Sequence, residues 1–345
     1  MRIIFALICW VAICAIAHRE QPLGFHKTLR AKADVHLVPY HAVGNLEGTL
    51  NSVGTDTMEE LMKLWSAGFT SFYPMMALHI EAKGSMTAEP ALREGRAQLA
   101  PQSRELMPAE LERFRSRFGY EPLAVRVALG SYRTPTRTVP LTFYVHETNP
   151  IERLTLAQLD AMYCTTRKRG YPEDLGTWGQ LGLTGEWKDR RIDLVGVQYP
   201  DGVSNNIRLQ VCLDGDYKPG IQQQELGGSL SVLTRIVKVV ASDPAAIGYG
   251  GFHSKQPGTK QVAIAETAEG RYRLGTFEEV TSGKYPLGRY IYILVNRDPK
   301  KPLDPLVKEF LKYVLSRDGQ QAIEQEGVFL PLPPGVAKQE SAKLD

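Results

Sequence analysis

Four short polar loops carry the residue types that hold anions. They are Gly54-Thr55-Asp56-Thr57, Lys83-Gly84-Ser85-Met86-Thr87, Ser103-Arg104 and Gly202-Val203-Ser204-Asn205-Asn206, and each stands where a helix should begin. A helix start leaves backbone N–H groups unpaired and carries partial positive charge, so several starts converging on one point can hold an anion without a large net charge. The hydroxyls of Thr55, Thr57, Ser85, Ser103 and Ser204 add donors, and Arg104 could add a bidentate cation. The same residue types also simply cap helices, so any one loop taken alone is as well explained by capping. Thr57 with Glu60 three residues on fits a capping box of this kind.

Other chemistries lack their patterns. The seven histidines are scattered, with no H-E-x-x-H spacing and no acidic cluster at metal-ligand spacing, so neither a metal-dependent hydrolase nor any other enzyme is expected. Cys164 and Cys212 stand 48 residues apart without nearby paired histidines, which argues against zinc and leaves either a disulfide or two buried thiols. No cofactor is expected.

The elements that would position these loops alternate in type. Val35 to Val43 reads as an opening strand. Met58 to Phe69 reads as a helix, with apolar residues at 58, 61, 62, 65 and 69 on one face. Leu123 to Ala128, Val139 to Val145, Ile192 to Val197 and Tyr290 to Val295 are short β-rich runs. A second helix follows Ser229, with Val232, Leu233, Ile236, Val237 and Val240 on one face. Asp304-Pro305 opens a third, with Asp as cap and Pro in the first turn. This alternation predicts α/β layers with mainly parallel strands, and a chain of this length exceeds one ordinary core, so two lobes are expected.

Met1-Arg2, the apolar run Ile3 to Ala17 and the small-x-small ending before His18 read as a signal peptide over residues 1–17. The run is too short for a comfortable membrane span, which needs about 20 residues. Cys14 lacks the small residue expected before a lipidated cysteine, so a soluble exported product is expected. Losing Arg2 with the leader leaves 40 of the 41 basic residues against 38 acidic ones, a net charge of +2. That balance excludes a broad nucleic-acid footprint but not a locally held anion.

Several motifs together resemble the phosphate-binding proteins of ATP-driven importers. They are Gly54-Thr55-Asp56-Thr57-Met58 running on to Trp65, Gly84-Ser85, Ser103-Arg104, Thr177-Trp178-Gly179-Gln180 through Trp187, Ser242-Asp243-Pro244 through Gly251, Ser282-Gly283-Lys284-Tyr285-Pro286-Leu287, and Phe329-Leu330-Pro331-Leu332-Pro333. The resemblance spans residues 45 to 335. It implies a two-lobed periplasmic-binding-protein fold, each lobe a mixed, mainly parallel sheet flanked by helices, with crossings near Val139 to Tyr144 and Tyr290 to Val295. The expected division is an extended lead-in over 18–34, lobe one from 35–139 plus 290–335, lobe two over 140–289, and a frayed tail over 336–345.

The resemblance further implies a periplasmic monomer that captures a small oxyanion, phosphate above all, between the lobes and delivers it to the membrane permease of an ABC importer. Its site residues would be Thr55, Asp56, Thr57, Ser85, Gln98, Ser103, Arg104, Ser204, Asn205 and Asn206. Two positions depart from the pattern. Gln98 stands where the family usually has an Asp that accepts a proton from phosphate, and the lobe-two segment Tyr199-Pro200-Asp201 lacks the family's Arg. Another small anion or polar solute, or a sensor or adhesion role without transport, therefore stays open.

Overall fold

The computed structural model describes residues 30–227 and 230–345; the leader over 1–17 and most of the lead-in lie outside them. In chain order the strands are β1 (Gly48–Gly54), β2 (Met76–Ala82), β3 (Ala100–Gln102), β4 (Leu123–Leu129), β5 (Leu141–His146) and β6 (Arg153–Thr155). Then come β7 (Asp193–Val197), β8 (Gln222–Gln224), β9 (Ala246–Gly251), β10 (Thr259–Ala265) and β11 (Tyr290–Val295). The helices are α1 (Glu59–Phe72), α2 (Ala88–Arg93), α3 (Pro108–Phe118), α4 (Leu156–Tyr163) and α5 (Gly202–Gln210). They continue with α6 (Val232–Ser242), α7 (Phe277–Thr281), α8 (Pro305–Leu315), α9 (Arg317–Glu326) and α10 (Pro334–Ser341).

These elements make two α/β lobes. In one, β1 and β2 pair in parallel, β11 lies between β3 and β4, and backbone bonds from Val53 to Leu99 and from Thr55 to Pro101 join the two pieces. The other holds one sheet in the order β6-β10-β5-β9-β7-β8. The six-stranded sheet is mixed, while the first lobe combines the parallel β1–β2 pair with the antiparallel β3-β11-β4 sheet. Parallel pairs dominate away from β5 and β11, and those two strands run antiparallel to both their neighbours. Each is the first strand after the chain changes lobe, so it enters its sheet with no crossover helix to force parallel pairing. The links themselves run side by side, with Gly130 N–H donating to Arg289 O at 2.8 Å and Leu141 N–H to Leu287 O at 3.3 Å.

Helix periodicity translated directly into packing. Met58, Leu61, Met62, Trp65 and Phe69 are all buried, and the Trp65 indole donates to Gly319 O at 2.8 Å. Leu233, Ile236, Val237 and Val240 do the same for α6, and Asp304 caps α8 by accepting from Leu306 N–H at 2.9 Å. Trp178 and Trp187 serve the second core: Trp178 is fully buried and its indole reaches Ala245 O at 3.0 Å.

Two expectations fail. Val35 to Val43 is not a strand, since Val35, Val38 and Val43 face solvent with no sheet edge to join. Only Leu37 and Tyr40 of that stretch are buried, Tyr40 with hydroxyl bonds to Tyr73 and Glu309 at 3.0 and 3.2 Å. Nor is the tail over 336–345 frayed. It forms α10 and a final turn, and buries Ala337, Glu340 and Leu344.

His253, in the turn after β9, buries both ring nitrogens without a partner among the described residues, and burial pulls its pKa down from 6.5 to about 4. The ring is neutral when folded but binds a proton on unfolding between those two values, so its contribution is intact above pH 6.5 and lost as pH falls toward 4. The difference corresponds to about 3 kcal/mol at most. Melting followed from pH 7 to pH 4 should show this loss, and His253→Phe should flatten the slope; an identical slope in the variant contradicts the assignment.

Candidate functional site

The site is built where β1 and β3 end. The carbonyl of Gly54 accepts from Lys83 N–H at 2.9 Å and Gly84 N–H at 3.0 Å, which clamps the two loops together. Gly84, at a φ of 95°, takes the left-handed turn that swings Ser85 into the next helical turn. Thr55 then caps the 3-10 turn Asp56–Met58 leading into α1, its Oγ1 accepting from Thr57 N–H at 3.4 Å. The cap is thus Thr55 and not Thr57, and Thr57 sits inside the first turn with its hydroxyl turned to Thr55.

Four hydroxyls meet as a result. Thr55 Oγ1 lies 3.0 Å from Thr57 Oγ1 and 3.3 Å from Ser103 Oγ, and Ser85 Oγ lies 3.1 Å from Ser103 Oγ. Residues from three loops, 48 positions apart at the extreme, therefore share one hydrogen-bonded cluster at the starts of α1 and α2. Each hydroxyl can rotate its proton away from its neighbour and toward an acceptor, which is what an oxyanion cradle requires.

The remaining sequence candidates are elsewhere or otherwise engaged. Asp56 is exposed and bonds to none of the four hydroxyls. Gln98 lies toward the other end of the strand, its Oε1 accepting from Asn51 N–H at 2.9 Å, so it is not in the position of a selective acid. Arg104 is consumed by Glu110, with Nη1–Oε2 at 2.7 Å and Nη2–Oε1 at 2.8 Å. Glu110 is 2% exposed and also accepts from Met107 N–H, so a buried carboxylate at the start of α3 needs that cation.

The lobe-two trio is also placed differently from expectation. Ser204, Asn205 and Asn206 are not a loop before a helix but the body of α5, which Asp201 caps by accepting from Val203 N–H at 2.8 Å. Ser204 bonds within this turn, to Gln198 O and Asp201 O. Asn205 and Asn206 reach the other lobe: Asn205 Nδ2 donates to Leu106 O at 3.2 Å and Asn206 Nδ2 to Glu105 Oε1 at 3.0 Å. Gly202 permits this approach, because a Cβ there would stand 2.9 Å from Arg104 Cδ.

Sequence reasoning missed Glu105, Thr138 and Arg289. Glu105 accepts from Asn206, from the Tyr292 hydroxyl at 3.3 Å and from Arg289 Nη2 at 3.5 Å, tying both lobes and a crossing segment together. Burial, then the neighbouring Glu105, holds the Tyr292 hydroxyl well above its ordinary pKa, so it stays a donor. Thr138 donates to Ser103 O at 2.6 Å from a left-handed backbone, φ 55°, unfavourable for a β-branched residue. Only the adjacency of Glu105 to Ser103-Arg104 could have flagged any of these.

Between the lobes lies a cavity of about 1030 Å³ that Ser103, Thr138 and Arg289 border. Away from it, Cys164 at the end of α4 and Cys212 just after α5 form a disulfide, Cα–Cα 5.7 Å. Asp160 is the one described acid beside those sulfurs, and with both sulfurs bonded to each other no thiolate is left for a metal. Among the described residues no helix is long and apolar enough to cross a membrane.

Comparison with known proteins adds four likenesses. A profile of the PBP superfamily domain matches residues 41–318. The chain is 38% identical over 314 residues to the phosphate-binding protein PstS of Pseudomonas aeruginosa, covering 91% of this chain and 92% of that one. A 104-residue stretch is 31% identical to phosphate-binding protein PstS 2 of Streptococcus agalactiae, 30% of this chain and 32% of the relative. Among solved structures, PstS from Borrelia burgdorferi aligns over 83% of this chain and 99% of its own at 18% identity with a TM-score of 0.51, a likeness of fold.

Proposed function

Because the chain belongs to the PBP superfamily and is a homologue of the phosphate-binding protein PstS, we propose that it is an exported receptor that captures phosphate between its lobes. The observation that carries this reading is the cluster of Thr55, Thr57, Ser85 and Ser103 hydroxyls at two helix starts. An oxyanion entering there exchanges hydroxyl–hydroxyl bonds for charge-assisted ones and gains from both helix ends. Asn205 and Asn206, bonded across to Leu106 and Glu105, hold the lobes together on one side of the cleft, and ligand capture is a hinge motion about the paired links at Gly130–Arg289 and Leu141–Leu287.

Delivery to the permease of an ABC importer, residence in the periplasm and a monomeric state complete the proposal. The site has a binder's chemistry rather than a catalyst's: hydroxyls shared among themselves and arginines held by carboxylates offer no activated nucleophile beside a base. Thermal melting with phosphate tests it. At a thousand times its dissociation constant phosphate should stabilise by about 4 kcal/mol, and a melting temperature unmoved at millimolar phosphate rejects phosphate as the ligand.

A further inference from the structure

The interlobe cavity is much larger and more apolar than an inorganic anion needs. Its volume is about 1030 Å³, and of the hydroxyl cluster only Ser103 borders it. Four of the eleven exposed large apolar side chains among the described residues line it: Met86 at 70% exposure, Leu226 at 56%, Leu230 at 41% and Tyr199 at 36%. Met86 and Tyr199 come from opposite lobes. A concentration of solvent-facing apolar side chains around one cleft marks a surface that something covers.

The polar groups of the cavity point the same way. Each of its three arginines is already matched to a carboxylate, Arg104 to Glu110 at 2.7 Å, Arg113 to Glu89 at 3.5 Å and Arg289 to Glu105 at 3.5 Å, with Arg289 Nε left without a partner among the described residues. Asp201 borders the same cavity from lobe two and already occupies its own helix start by accepting from Val203 N–H. Lobe two offers the cavity the Asp201 carboxylate, the Tyr199 and Ser231 hydroxyls and apolar walls, so a fourth phosphate oxygen directed there would find no cation free of a carboxylate. Closing the lobes further does not remove the space on the α5 side, where Asn205, Asn206 and Gly202 already touch the 104–106 segment.

We propose that the cleft takes an organic phosphoryl compound, with the tetrahedral oxyanion head on the Thr55–Thr57–Ser85–Ser103 hydroxyls and an apolar or aromatic substituent in the cavity between Met86 and Tyr199. This rests on the anion reading above and specifies the ligand further. Three oxygens are then served by lobe one, and the fourth substituent is one that needs no donor. A phosphonate and a phosphate monoester share this shape and are separate arms of the test.

Calorimetric titration of the wild-type chain with inorganic phosphate, methylphosphonate, phenylphosphonate and phenyl phosphate decides it. The expected result is that phenylphosphonate, phenyl phosphate or both bind at least tenfold tighter than methylphosphonate. In a Met86→Ser/Tyr199→Ser variant, both changes being at exposed side chains, that advantage should shrink to threefold or less with inorganic phosphate affinity unaltered. If inorganic phosphate binds while both phenyl compounds bind no better than methylphosphonate, the organic ligand is wrong and the phosphate receptor stands. If the phenyl advantage survives the double substitution unchanged, the substituent is not where it is placed here and the proposal falls. Should no phosphoryl compound bind, both readings fall together.

Discussion

Glu340→Ala should lower the stability of the lobe that holds α10 by about 3 kcal/mol, the scale of breaking a buried ion pair by removing one partner. Glu340 is fully buried, pairs with the Arg126 guanidinium, and accepts from Arg126 N–H at 3.0 Å and Lys343 Nζ at 2.7 Å. Its loss strands a backbone donor on β4 as well as a cation, and it loosens the turn that buries Leu344. Arg126 is about a quarter exposed, so water can reach it in part and the effect stays near the lower end of the range. In calorimetry the affected transition should move down by 5 °C or more, at a few degrees per kcal/mol, and the transition of the disulfide-containing lobe should stay where it was. A melting profile within 1 °C of wild type would mean that the C-terminal segment is an accessory and not a structural part of the lobe.

Removing the Cys164–Cys212 bond should cost the other lobe on the order of 4 kcal/mol by the loop-entropy relation, given a sequence separation of 48 between the cysteines. The bond joins the end of α4 to the segment just after α5, and α5 carries Asn205 and Asn206 against the opposite lobe. Loss of the bond therefore frees the helix that makes the interlobe contact, as well as widening the unfolded ensemble. A Cys164→Ala/Cys212→Ala variant should melt well below wild type, and wild type in reductant should move to the same place. Equal melting temperatures with and without reductant would show that the bond does not constrain the folded chain.

How much of this the sequence disclosed depended on how local the determining interaction is. Helix α1 was legible because five apolar residues at helical spacing define a buried face without reference to the rest of the chain. The hydroxyls of Thr55, Thr57, Ser85 and Ser103 were legible for a similar reason, each being a small polar residue beside a helix start. The pairing of Arg104 with Glu110 was not legible, because Glu110 lies beyond a Pro and across a helix boundary, where sequence spacing does not reveal facing side chains. Asn205 and Asn206 pair with residues about a hundred positions away, a contact that exists only once two lobes are brought together. Gln98 was aligned to a family position whose side chain, in this fold, turns back onto Asn51. Val35 to Val43 had strand-like residues but no neighbouring strand, and β structure is decided by the partner.

The account stands on the claim that the ligand's oxyanion sits on the lobe-one hydroxyls. A phosphate titration of wild type and of a Ser85→Ala/Ser103→Ala variant tests it directly. Two charge-assisted hydrogen bonds at about 1.5–3 kcal/mol each predict at least a hundredfold loss of affinity in the variant, with its unliganded melting temperature close to wild type. Equal affinity in the two proteins would place the anion elsewhere and contradict the account.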